Sequence, residues 1–92
     1  MQPDIDHHES VVDLALAVVH YRAVLRRKGR EGDTPLVRRA EAHAQDAVAC
    51  ATGAVYRAFG LDTLVLEEAR WLADRFDEQA ARIVPEAYRE AM

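Results

Sequence analysis

Cys50 is the only cysteine in the 92-residue chain. That scarcity excludes an intrachain disulfide framework and an all-Cys zinc site. Serine is as rare. Ser10 stands alone, with no base at a recognisable spacing to activate it as a nucleophile. H-E-x-x-H, E-x-x-H and C-x-x-C are all missing. Long apolar runs are missing too. The most apolar stretch, Val11 to Leu25, is broken by Asp13, His20 and Arg22, which makes it too charged to span a bilayer. The first 21 residues hold Asp4, Asp6, Glu9 and Asp13 but no Lys or Arg, the reverse of a signal-peptide start. The expected location is cytoplasmic. No run alternates apolar and polar residues as a half-buried strand does.

The chain is half apolar, 30% charged and carries a formal net charge of −4. It is too apolar for a disordered chain. Its length fits one domain over 1–92 with one modest core. The mild acidity argues against a nucleic-acid binder, and no membrane contact is expected.

Two breaks divide the sequence into helical segments. The first is Gly29 to Pro35, where two Gly and then Asp-Thr-Pro combine a helix stop with a helix start. Thr34 can cap and Pro35 suits a first helical turn. The second is Phe59 to Thr63, where Gly60 ends one helix in a left-handed conformation and Asp62 or Thr63 caps the next. Asp6 to Glu9 reads as a capping box, and Pro85 ends or kinks the last helix. These signals predict helices over about 6–29, 35–59 and 62–84, followed by a short C-terminal helix. The fold class is all-α, an antiparallel three-helix bundle.

At about 100° per residue the three faces differ. The second helix gathers Leu36, Val37, Ala40, Ala44, Ala47, Val48, Ala51, Ala54, Val55, Ala58 and Phe59 on one side. The third is expected to bury Leu61, Val65, Ala69, Leu72, Phe76, Ala80 and Ile83. Arg70–Asp74 and Glu78–Arg82 are expected as exposed i,i+4 pairs. The first helix is apolar over most of its circumference. Only Glu9, Asp13, His20 and Arg27 make a polar strip, into which Ala17 and Val24 intrude. A helix of that kind needs neighbours on more than one side. The expected partner is a second copy, docked through Val12, Leu16, Val19 and Ala23, to give a larger helical bundle. The alternative is a monomer whose first helix lies centrally between the other two and the C-terminal piece.

Metal and acid–base chemistry find little support. His43 and Cys50 are seven residues apart, about 10 Å along a helix axis, whereas ligation needs about 2.0–2.3 Å to each atom. His7 and His8 form an N-terminal pair, and His20 sits on the polar strip. The E-E-x-x-E motif of small helical pyrophosphohydrolases would need an acid at position 71, where Trp71 stands. No cofactor or metal is expected.

Charge is unevenly placed. Arg22, Arg26, Arg27, Lys28, Arg30, Arg38 and Arg39 face only Glu31 and Asp33 between residues 22 and 39. That stretch balances at +5, and the remainder carries −9. This basic end suits an acidic protein partner. Trp71 and Arg75, with Leu64 beside them, form the other candidate surface, because Trp and Arg are over-represented in binding hot spots. The expected function is a small, non-catalytic interaction protein acting through helix faces. One alternative is a ligand- or metal-binding protein or small enzyme with its site near His43 and Cys50. The other is nucleic-acid binding through the basic end.

Overall fold

The computed structural model describes the backbone over residues 8–91 and the side chains over residues 8–79. Three helices follow one another: α1 (Glu9–Glu31), α2 (Pro35–Phe59) and α3 (Thr63–Ala91). No strand occurs among the described residues, as the periodicity predicts.

The helix boundaries follow from local hydrogen bonding. α1 begins at His8 rather than at the predicted capping box, whose Asp6 lies outside the described residues. The imidazole Nδ1 of His8 accepts the Ser10 N–H at 3.2 Å and also lies 2.6 Å from the Ser10 hydroxyl. Gly29 does not stop α1 but stays inside it. The helix runs on to Gly32, whose φ of +85° and ψ of −175° only Gly adopts without strain. Thr34 caps α2 as expected, accepting the Val37 N–H at 3.2 Å. Gly60 ends α2 at φ 73°, ψ −164°. That is an extended, Gly-specific conformation and not the left-handed helical one expected. Asp62 Oδ1 then accepts the Leu64 N–H at 3.0 Å to open α3. The last helix does not stop near residue 84. It continues through Pro85 to Ala91, so there is no separate C-terminal helix. A proline removes one backbone donor, but good helix formers on both sides (Ala, Glu, Arg) allow the helix to persist beyond it.

α1 is the central element. It packs against both α2 and α3, which scarcely touch each other. The core is one cluster of Val11 and Leu14 from α1, Val55 from α2, and Val65 and Ala69 from α3. Phe59, Leu66 and Leu72 pack around it, half-buried. Ala15, Ala44 and Ala73 are also buried, which lets the helices approach closely. The His8 ring meets Phe59 edge-on at 4.6 Å, pinning the start of α1 to the end of α2.

Four residues expected in the core are on the surface: Leu36, Ala47, Ala58 and Leu61. Leu61 is 83% exposed because it precedes the first turn of α3 and so escapes its helical period. Leu36, Ala47 and Ala58 lie beside, not on, the α2 line of Val37, Ala44 and Val55 that faces α1. Val24 shows the opposite. The helical period places it on the polar strip, but it is buried at 6% exposure, because α2 covers that side of α1 near the first turn. Ala80 and Ile83 lie outside the described side chains.

The Cα atoms extend over 49 × 30 × 16 Å, with a radius of gyration of 15.1 Å. A compact domain of this length has a radius of about 12 Å. The chain exposes 6906 Å², against about 5,400 Å² for an ordinary monomer of its mass. The molecule is a thin layer, and the central helix keeps one side open.

Candidate interaction surfaces

The basic end is largely neutralised from within. Arg22 Nη1 donates to Asp74 Oδ1 at 2.8 Å and to Asp77 Oδ2 at 2.7 Å. Arg26 lies 3.8 Å from Asp77 Oδ1. Arg27 pairs with Glu31, Lys28 with Glu41 at 3.0 Å, and Arg38 with Asp33 at 3.2 Å. Arg30 and Arg39 have no ion-pair partner among the described residues. The +5 segment therefore meets part of the −9 remainder inside one chain, across the α1–α3 and α1–α2 seams. The hydrogen bond to Asp77, and then that to Asp74, raise the pKa of Arg22, so it stays charged at any working pH. The hydrogen bond to Glu41 likewise raises that of Lys28. Asp74 turns to Arg22 of α1 and not to Arg70, its expected i,i+4 partner, because the central helix brings a longer-range cation within reach. The Glu78–Arg82 pair lies outside the described side chains.

His43 and Cys50 are both exposed on α2, and neither lines the groove between α1 and α2. The groove between α1 and α2 is instead lined by Tyr21, Gln45, Val48 and Ala49 and holds about 210 Å³. It is open and smaller than the ~300–1,000 Å³ of typical small-molecule sites. The sequence could not show it, because the groove depends on how the two helices cross. No group of three potential metal ligands converges among the described residues. His7 lies outside them, and His8 is engaged as a cap. No helix among the described residues is long and apolar enough to cross a membrane.

Trp71 and Arg75 come together as their spacing predicts. The Arg75 guanidinium carbon lies 4.7 Å from the Trp71 ring centroid, a cation–π geometry. Trp71 is 47% exposed and Leu64, two turns earlier, 64% exposed. The stripe lies about 100° or more from the line of Val65, Ala69 and Ala73 that packs on α1. The Arg stacking holds the indole in one orientation while leaving about half of it open to water.

The expected dimer stripe is also at the surface. Leu16 is 51% exposed, Ala23 is exposed, and Val12 and Val19 are half-buried. Helix period and spacing were enough to find both stripes. What they could not find was the pairing of the basic cluster.

The fold and surfaces define a small all-α chain with a central helix and apolar stripes left open to solvent. Compared with protein-family models, curated proteins and solved structures, the chain finds no match in any of the three.

Proposed function

We propose that the chain is a non-catalytic interaction protein that docks a partner protein on the Trp71 face of α3. The observation that carries this reading is the stacked, half-exposed Trp71 with Arg75, next to the exposed Leu64. A monomer gains nothing from leaving a large ring in water. An indole fixed by a neighbouring cation loses little conformational freedom when a pocket closes over it. The mechanism is helix-face docking, with Trp71 as apolar anchor and Arg75 supplying a charge at the rim. Arg30 and Arg39, the two cations of the 22–39 segment without an ion pair among the described residues, add a modest attraction for an acidic partner. The internal pairing of the rest makes the basic end a weaker candidate for nucleic acid.

The test is capture from an extract of the source organism by the full chain and by Trp71→Ala and Arg75→Ala. Circular dichroism confirms that each variant keeps its helicity. The expected result is a protein retained by the wild type and lost with Trp71→Ala. Equal retention by all three chains overturns the reading.

A further inference from the structure

The open side of α1 carries its own pattern of charge. Lys28 marks the direction of α2, where it meets Glu41, and Arg22 marks that of α3, where it meets Asp74 and Asp77. At about 100° per residue, Val12, Leu16, Val19 and Ala23 fall in the wide sector that neither neighbour covers. Glu9 and Asp13 lie at the N-terminal end of the same sector, and Arg27 and Arg30 at its C-terminal end. Glu9, Asp13 and Arg30 have no ion-pair partner among the described residues. The face is thus apolar in the middle, acidic at one end and basic at the other.

We propose that this face docks on the same face of a second copy, with the two α1 helices antiparallel about a two-fold axis between Val19 and His20. In that register Leu16 packs against the partner's Ala23, a large side chain into the space left by a small one. Glu9 comes opposite the partner's Arg30. The two-fold axis repeats each pairing. A parallel arrangement sets acid against acid and base against base, so charge selects the antiparallel one.

The neighbouring edge of α2 extends the contact. Gln45 and Ala49 flank the α1-facing line of α2 on the Tyr21 side, where they line the groove. Leu36, Ala47 and Ala58 therefore flank it on the other side, next to the α1 stripe. This accounts for their exposure. A helix about 35 Å long by 10 Å wide is narrower than the ~800 Å² per partner of a standard interface, and this second strip widens it.

The inference rests on reading the chain as an interaction protein and adds that one of its faces takes its own copy. Sedimentation of the full chain at about 100 µM is expected to give twice the 10.3 kDa of the monomer. Leu16→Glu is expected to give the monomer with unchanged helicity, since Leu16 contributes little to the core. Glu9→Arg and Arg30→Glu are each expected to weaken self-association about tenfold, since each turns two attractive contacts into repulsive ones. An equal mixture of the two is expected to restore it, because each chain then supplies the charge the other lacks. A wild-type monomer, a dimer indifferent to Leu16→Glu, or a mixture no tighter than either variant alone overturns the proposal. A monomer that still captures a partner through Trp71 overturns only this inference. A dimer that captures nothing overturns only the Trp71 reading.

Discussion

Arg22 donates from one nitrogen to two carboxylates a turn apart on α3, Asp74 at 2.8 Å and Asp77 at 2.7 Å. This clasp joins the middle of α1 to α3 well away from the apolar cluster at Val11, Val55 and Val65. Asp77 Oδ1 is buried with no hydrogen-bond partner, so its carboxylate depends on the cations beside it. Arg22→Met leaves that half-buried charge with only the distant Arg26. The expected loss is about 1–3 kcal/mol in chemical denaturation. Replacing both partners, Arg22→Met with Asp77→Leu, is expected to recover most of it. A double variant as unstable as the single one contradicts this account.

Valine burial separates the core from the surface. Val65 is fully buried among Val11, Leu14 and Val55. Val65→Ala removes two methyl groups and leaves a cavity, for an expected loss of about 2 kcal/mol. Leu61→Ala, at the 83% exposed position, is expected to stay within about 0.5 kcal/mol of wild type. Thermal melts of the two variants, compared at equal concentration, check the contrast.

Two glycines are expected to respond with opposite signs. Gly60→Ala forces a Cβ into a backbone at φ 73° and is expected to cost about 1–3 kcal/mol. Gly29 lies inside α1 with open space around its Cβ position. Gly29→Ala is expected to raise stability by about 0.5–1 kcal/mol through helix propensity and the unfolded chain. Denaturant midpoints read both.

The Lys28–Glu41 bond sets a pH dependence. Pairing raises the Lys28 pKa above its ordinary value near 10.5. Its stabilisation is therefore fully present below that value and disappears as the pH rises through the folded-state pKa. The difference in Tm between wild type and Lys28→Met is expected to be small, because the Lys28 side of the pair is open to solvent. It should be constant from neutral pH up to the ordinary lysine range and fade only above it. A difference that grows with alkalinity contradicts the assignment.

The sequence by itself determined the three helices, the cap at Thr34, a cap at Asp62 or Thr63, and the stripes of Val12–Ala23 and Leu64–Trp71. Those features depend on residues within a turn or two of each other, where helix period and backbone hydrogen bonding act directly. Only the tertiary structure decided which helix is central, and with it the fate of several side chains. Val24 is buried because α2 passes over it, and Leu36 is exposed because α1 lies along the neighbouring line. Arg22 meets acids more than fifty positions away, so a cluster that looks like a free basic end becomes the clasp of the bundle. Local sequence has no access to such pairings, since they depend on how two helices cross and not on what either helix contains.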